Sequence, residues 1–437
     1  MNYDEALSYL LGLGHETLAI KLGLAKTELL LDSLGNPQNS FRKVQIAGTN
    51  GKGSTAAFLD HICRAANIRT GLYTSPHLSS ITERISIDGQ AISEHEFARV
   101  VARVRDHALE QMANGAIETP PTFFEHVTLA AFCAFADAKV DLLILETGLG
   151  GRLDATTAAQ AELVAITPID IDHQEYLGDE LKQIAAEKAA IIRPGSTAVI
   201  APQQIEALNV IRDRAKDVGA KLILPKDADW HSTFTTPDGR FEASFEFQGE
   251  ALDRVLLGLR GRHQLTNAAT AVAIAAELRE SGFDIEKSAV RTGLETARHP
   301  GRLELFEGTP PVLLDGAHNV HGAQALASYL REFVAGPVTL IFGAMQDKDV
   351  KLMLEELAPV VSNIVFTQAS NIRSATLEQL TASLPGSASS SRVESTRSSA
   401  EALEMARKIT PKVGTICIAG SLYLVGEMRE LLLADNS

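Results

Sequence analysis

The sequence predicts an α/β protein: a parallel-sheet domain behind a phosphate-loop-like segment over residues 1–298, then a smaller Rossmann-like α/β domain over 299–437. Three observations carry this. Short continuous apolar runs alternate with helical spacing for most of the 437 residues, the pattern of strands covered by helices on both faces. A glycine-rich segment, "IAGTNGKGSTAAF" (46–58), joins one such run to an amphipathic helix. Near "ARHPGRLE" (297–304) the rhythm restarts, in a chain already longer than one ordinary core supports.

In the first domain "KVQIAG" (43–48), "RTGLYTS" (69–75), "VDLLILE" (140–146) and "ELVAITP" (162–168) read as strands, with helical stretches at 54–66, 93–113 and 122–138 between or behind them. The stretch 227–262 departs from this: "FEASFEFQG" (241–249) alternates and "TTPDGR" is a turn, so a small antiparallel hairpin is expected, followed by a helix at 264–281. In the second domain "PVLLDG" (311–316), "PVTLIFG" (337–343), "NIVFTQ" (363–368) and "GTICIAG" (414–420) alternate with helices at 321–334, 348–359, 376–384, 398–409 and 421–434. The Ser-rich "SASSSRVESTRSS" (387–399) reads as a solvated connection.

Composition narrows the function classes. With 45% hydrophobic and 22% charged residues the chain is of the globular class. A net charge of −15 argues against non-specific nucleic-acid binding, which needs a cationic surface. Cys63, Cys133 and Cys417 form no C-x-x-C and read as reduced thiols. The start is acidic and amphipathic without a basic n-region, and no run of about 18 apolar residues offers a membrane span. The expectation is a cytoplasmic monomer with neither nucleic acid nor membrane as partner.

The glycine segment departs from G-x-x-x-x-G-K-[ST]. Gly51 and Lys52 are followed by Gly53, and the hydroxyl arrives one residue late at Ser54. Its place between strand and helix turns backbone N–H groups and the helix dipole toward an anion, with Lys52 reaching terminal phosphates. The bland alternative is a glycine-rich turn without a ligand. Ser54 either caps its helix or meets a phosphate or Mg²⁺. Ser75, Glu146 and His173 each fall just past the carboxyl end of an apolar run, where open α/β sheets bind ligands. Together they suit Mg²⁺, which takes few protein ligands and keeps phosphate and water; taken alone, His173 is an ordinary core or surface histidine. "ETGLGGRLDAT" (146–156) is either a loop tightened by packing or backbone brought close to a substrate, with Asp154 orienting a neighbour. Asp315 and His318, in "DGAHN", lie at a strand end of the second domain. Asp315 there accepts from a ribose or caps a helix.

The motifs "IAGTNGKGS", "YTSPHL", "FEHVTLAAF", "LETGLGGRLDAT", "DHQEYLG", "EKAAIIRPG", "HPGRLE" and "DGAHN" resemble, in order and over nearly the whole chain, those of folylpolyglutamate synthases and the related dihydrofolate synthases. These are Mur-type ATP-dependent amide ligases. The resemblance implies a P-loop ATPase-like domain and a Rossmann-like domain with ATP between them. It implies that Gly51, Lys52, Gly53, Ser54, Asn267, Arg302 and Asp315 bind ATP, and that Ser75, Glu146 and His173 hold magnesium, with two ions in all. Lys188 matches a lysine that is carbamylated in such ligases, where the carbamate helps place the second ion, and His318 assists beside the nucleotide. Thr122, Phe123, Phe124, Glu125, Leu153, Asp154 and Ala155 match the pterin side. The implied reaction adds L-glutamate to a folate carboxylate through an acyl phosphate, releasing ADP and phosphate, and leaves open the conversion of dihydropteroate to dihydrofolate. The alternatives are a peptidoglycan-precursor ligase of the same superfamily and a nucleotide-switch GTPase, although no N-K-x-D motif is present. Three departures stand out: Ala190 for a usual glycine, Thr157 for a usual asparagine, and Lys21 where dihydropteroate-using enzymes tend to carry an acid. The last disfavours dihydropteroate as acceptor.

Overall fold

The computed structural model describes residues 1–14, 23–225, 230–386 and 392–435. Lys21 lies outside the described residues.

The larger part is built on an eight-stranded sheet. Its strands are β1 (Arg42–Ala47), β2 (Thr70–Tyr73), β3 (Ile85–Ile87), β4 (Gln90–Ala91), β5 (Leu142–Glu146), β6 (Leu163–Ile166), β7 (Thr197–Ile200) and β8 (Lys221–Ile223), in the order β4-β3-β2-β5-β1-β6-β7-β8. β1, β2, β5, β6, β7 and β8 pair in parallel, but β3 and β4 add an antiparallel edge that the parallel-sheet reading did not include. Ile46 and Ile144 bury one face of the sheet against Phe58, Leu59 and Ile62 of the helix Lys52–Ala65. Leu143 and Leu145 bury the other face against Phe132 and Phe135 of the helix Phe123–Ala138. Two covered faces explain why these strands read as continuous apolar runs rather than alternating ones.

The expected hairpin is a three-stranded antiparallel sheet: β9 (Trp230–Thr235), β10 (Arg240–Phe247) and β11 (Glu250–Arg260). Beyond it the second sheet has strands β12 (Glu304–Phe306), β13 (Val312–Leu314), β14 (Val338–Phe342), β15 (Asn363–Phe366), β16 (Arg392–Ser395) and β17 (Thr415–Ala419), ordered β12-β13-β17-β14-β15-β16. β12 is antiparallel and the rest are parallel. The connection expected at 387–399 lies outside the described residues as far as 391; from Arg392 it is the edge strand β16 instead.

Two contacts fix how the sheets face each other. Tyr329 Oη donates to Asp238 O in the β9–β10 turn at 2.9 Å, with Phe241 edge-on to Phe333 beside it. On the opposite side Leu78, from the segment after β2, packs into the core of the second sheet. The loops after β1, β2, β5, β6 and β13 therefore border one cleft. Among the described residues no helix is long and apolar enough to cross a membrane.

Candidate active site

β1 lies between β5 and β6, so the glycine loop leaves the middle of the sheet with neighbouring loops on both sides. Gly51 has φ +89°, a left-handed conformation that admits a β-carbon only with strain. A β-carbon at Gly53 would stand 2.8 Å from His299 Cε1. The loop is pinned from below, where Thr49 N and Asn50 N donate to Pro168 O at 3.0 and 3.2 Å. Lys52 folds back over it, its Nζ donating to the carbonyls of Gly48 and Thr49 at 3.1 and 3.3 Å. Ser54 does not cap the helix, which begins after Gly51 without a side-chain cap. Its hydroxyl accepts from Gln264 Nε2 and faces His299 Nδ1, both at 3.2 Å.

This loop opens on a cavity of about 330 Å³, bordered by Gly51, Lys52, Gly53, Ser54, Asn267, Arg302 and Asp315, the full set expected for a nucleotide. Asn267 is set by a bond to Gln264 Oε1 at 2.9 Å. Arg302 Nη1 donates to Gly316 O at 2.9 Å. Asp315 does not cap a helix; that role falls to Asn319. Its carboxylate accepts from Leu303 N and Ala317 N at 2.9 and 3.0 Å. Burial raises its pKa, against the pull of Arg302.

Ser75, Glu146, His173, Lys188 and His318 border the same cavity. Glu146 accepts from Ser75 N at 3.4 Å, and burial raises its pKa against the opposing charges of Lys52 and Arg302. Ser75 Oγ is buried without a hydrogen-bond partner in the described structure. Among the described residues no three His, Cys, Asp or Glu converge as a self-sufficient ion site. A hydroxyl awaiting a partner, one carboxylate and one imidazole fit an ion that takes its remaining oxygens from phosphate and water. Lys188 is 5% exposed and donates to Gly48 O at 2.9 Å. Burial, then the neighbouring Lys52, push its amine down to about 7. His318 Nδ1 lies 2.8 Å from Gly316 O, which can only accept, so the proton sits on Nδ1 and Nε2 keeps its lone pair. Burial, followed by Lys348 and Arg302, pushes that imidazole down to about 4.

A second cavity of about 450 Å³ shares Ser75, His173 and His318 with the first. Thr122, Phe124, Glu125, Leu153, Asp154 and Ala155 border it, with Tyr176, Lys348 and Arg373. Phe123 does not: it is buried in the core and lies under the Arg84 guanidinium. Thr122 and Glu125 form a reciprocal capping box at the start of their helix, at 2.7 and 3.3 Å, which fixes the angle at which Phe124 is presented. Asp154 is spent on its own loop, accepting from Leu149 N at 2.8 Å and Thr156 N at 3.0 Å. Thr157, the residue in the usual asparagine's place, donates to Gly151 O at 2.7 Å and accepts from Gln45 at 2.8 Å, so the local bonding is remade.

Sequence reasoning passed over Asp172, His299, Asn319, Lys348 and Arg373. Lys348 follows β14 in "GAMQDKD", and the strand-end rule applied to Ser75 reaches it as well. Burial opposes the Asp172 charge, yet His173, Lys348 and His318 hold its carboxyl well below the usual range.

Comparison with known proteins adds to this geometry. The Mur ligase middle domain matches residues 46–275, and the Mur ligase glutamate ligase domain matches 301–422. The chain is 37% identical, over 98% of its length, to a probable bifunctional folylpolyglutamate synthase/dihydropteroate synthase of Haloferax volcanii, of which it spans 50%. It is 35% identical to the dihydrofolate synthase/folylpolyglutamate synthase of Bacillus subtilis, covering 98% of this chain and 99% of that one. Among solved structures, E. coli FolC in complex with DHPP and ADP superposes with a TM-score of 0.88 at 33% identity, covering 100% and 99% of the two chains. A bifunctional folylpolyglutamate synthase/dihydrofolate synthase with Mn, AMPPNP and L-glutamate bound gives 0.84 at 31% identity, covering 99% and 98%.

Proposed function

The chain belongs to the dihydrofolate synthase/folylpolyglutamate synthase family of Mur ligases, and from that premise we propose that it joins L-glutamate to a folate carboxylate at the expense of ATP. One observation carries the reading: a polar cavity on a phosphate loop and a more apolar cavity meet at a common wall of Ser75, His173 and His318. ATP lies in the first, its phosphates on Gly51 to Ser54. The pterin and its benzoyl arm lie in the second, against Phe124, Leu153 and Ala155. We assign residues 1–298 and 299–437 to the two units that close on them. The apolar second cavity and the folate-ligase relatives disfavour a peptidoglycan precursor as substrate.

A carboxylate is a poor acylating group because oxide is a poor leaving group. Its oxygen attacks the γ-phosphorus and ADP departs, leaving an acyl phosphate; the neutral amine of glutamate then attacks the acyl carbon, and phosphate departs carrying the proton that the nitrogen loses. Lys52 swings from its loop carbonyls to the phosphoryl oxygens as their charge grows. Ser75, Glu146 and His173 would hold Mg²⁺, which would supply Lewis-acid neutralisation of that charge. A lysine amine at about 7 is substantially neutral at physiological pH and adds to CO₂, forming an N–C bond and releasing a proton. The resulting carbamate on Lys188 would give a second ion its anion. His318 Nε2 accepts a hydrogen bond from the glutamate amine and orients it. Arg373, which borders the second cavity and is ion-paired there to Asp347 at 2.7 Å, would exchange that partner for a glutamate carboxylate; Lys348 is held by Asp172 and Asp347. Positioning, and exclusion of water from the acyl phosphate by the closed domains, supply most of the rate.

The test is an assay of purified protein with ATP, Mg²⁺ and L-glutamate, offering tetrahydrofolate, dihydropteroate or a UDP-muramoyl precursor, with products read by mass. Gain of one glutamyl unit on tetrahydrofolate, with a higher kcat/KM than dihydropteroate, is expected. Turnover of the UDP-sugar alone would overturn the reading.

A further inference from the structure

His173 is a non-glycine residue with φ +52°. A left-handed histidine is strained and persists only where its surroundings hold it. What holds it is Asp172, whose Oδ1 accepts from His173 N at 2.9 Å. The same carboxylate is gripped from the second domain. Lys348 Nζ donates to Oδ1 at 3.1 Å, and Asn319 Nδ2 donates to Oδ2 at 3.0 Å. The Asp172 and Lys348 side chains are each 10% exposed, so the pair is screened little by water.

Asn319 can be oriented only one way. Its Oδ1 accepts from Gly322 N at 2.8 Å, capping the helix Val320–Phe333, which turns Nδ2 toward Asp172. That nitrogen also reaches Asn50 Oδ1 of the phosphate loop at 3.2 Å. One side chain of the second domain thus ties together the phosphate loop and the residue before a metal ligand. Asn319 is 269 and 147 residues from Asn50 and Asp172, and Lys348 is 176 from Asp172, each bond crossing from the first domain to the second. These bonds therefore exist only while the domains are docked.

We propose that Asp172 is a positioning residue through which docking of the second domain completes the metal site: Asn319 and Lys348 fix Asp172, and Asp172 fixes His173 in the conformation that presents its imidazole. The metal is then held tightly only in the closed molecule, and an open molecule that has bound ATP is not competent for phosphoryl transfer. This rests on the ligase reading above and adds to it a dependence of metal affinity on residues that touch no metal.

Mn²⁺ is the probe, titrated by its electron paramagnetic resonance signal in the presence of AMPPNP; ADP affinity is measured separately in EDTA. Asp172→Asn, which removes the charge and turns a donor toward Asn319 or Lys348, is expected to weaken Mn²⁺ about tenfold or more, as loss of a partner behind a metal ligand typically does. Asn319→Ser keeps a helix cap and is expected to weaken Mn²⁺ several-fold. The double variant is expected to bind no more weakly than Asp172→Asn alone, since both act through one carboxylate. Metal-free ADP binding should stay within about twofold in Asp172→Asn, which leaves the Asn319 bond to the phosphate loop in place, a readout that general loosening of the fold would move. The proposal is overturned if Asn319→Ser binds Mn²⁺ like the parent, if the two losses multiply, or if the metal-free ADP affinity of Asp172→Asn falls by the same factor as its Mn²⁺ affinity. His173→Ala separates the metal assignment from the coupling to the second domain. If it leaves Mn²⁺ affinity unchanged, the metal assignment itself is wrong; if it alone weakens Mn²⁺, only the coupling fails.

Discussion

The two cavities share a wall but are built from different material. The phosphate-loop cavity is made largely of backbone and of side chains bonded to backbone: Lys52 and Lys188 on Gly48 O, Asp315 on Leu303 and Ala317, Arg302 on Gly316. The second cavity is bordered by side chains from separate segments, with Phe124 and Leu153 on one side and Lys348 and Arg373 on the other. A phosphate group is the same in every ATP, so a fixed backbone cradle suits it. An acceptor whose chain length varies is better met by side chains and by loops of a second domain. The difference predicts that damage to the first cavity stops the reaction, whereas damage to the second changes what is bound and how tightly.

The largest effect is expected from Lys52→Ala, which should cut ligation about 10³-fold or more by removing the charge that meets the transferring phosphoryl group. Among the described residues Lys52 Nζ bonds only to carbonyls of its own loop, so Tm should move by no more than about 2 °C. Substantial turnover at saturating ATP would remove the basis for assigning the first cavity to ATP.

Lys188→Ala should cost about 10²-fold, the scale of losing an anion that supports a metal, and acetate should restore part of it. The wild-type amine has a pKa of about 7, and only its neutral form adds CO₂. Activation by bicarbonate should therefore rise as pH passes upward through 7 and fade below it. No response of the variant to acetate and of the parent to bicarbonate would argue for a plain lysine.

Glu146→Gln should raise the Mg²⁺ concentration for half-maximal rate about tenfold. Because Glu146 borders the first cavity and not the second, KM for the folate should not follow it. If KM for the folate rises and the Mg²⁺ titration stays put, the division between the cavities fails at this residue.

On the other side of the shared wall, Arg373→Ala should raise KM for glutamate several-fold, up to about tenfold for one charge-assisted contact, with ADP affinity unchanged. Equal losses in both would mean that Arg373 acts on domain docking instead of on the substrate.

The smallest effect concerns the helix that presents Phe124. His126, on that helix, is fully buried; its Nε2 lies 3.1 Å from Val101 O and its Nδ1 has no partner in the described structure. Burial pushes its pKa down to about 4. Between pH 6.5 and 4 the unfolded chain therefore binds a proton that the folded chain does not. Stability should fall as pH drops through that window, by at most on the order of 3 kcal/mol from this group. His126→Gln keeps a donor for Val101 and should flatten that part of a Tm–pH curve; an unchanged slope would assign acid sensitivity to other groups.

The phosphate loop, the central strands of the two large sheets and several residues of the first cavity were legible in the sequence because each rests on a contiguous cause; the edge strands were not. A strand ends, a loop turns, a helix begins, and the chemistry of Gly51 to Ser54 follows from that local order. Lys188, Asn267 and Arg302 were placed by resemblance, not by any local signal. Neighbours within one motif misled at Phe123, since adjacent residues on a helix point about 100° apart; Phe124 faces the cavity and Phe123 the core. The T-x-x-E spacing of Thr122 and Glu125 was a legible capping signal that a reading for pterin contacts passed over. Only the tertiary structure decided what crosses the cleft: that Asn319 grips both Asn50 and Asp172, that Lys348 joins Asp172 to the second cavity, and that His299 closes over Ser54. Such contacts join residues 147 to 269 positions apart in the first two cases. Their geometry depends on how two separately buried sheets dock, and no local propensity encodes that.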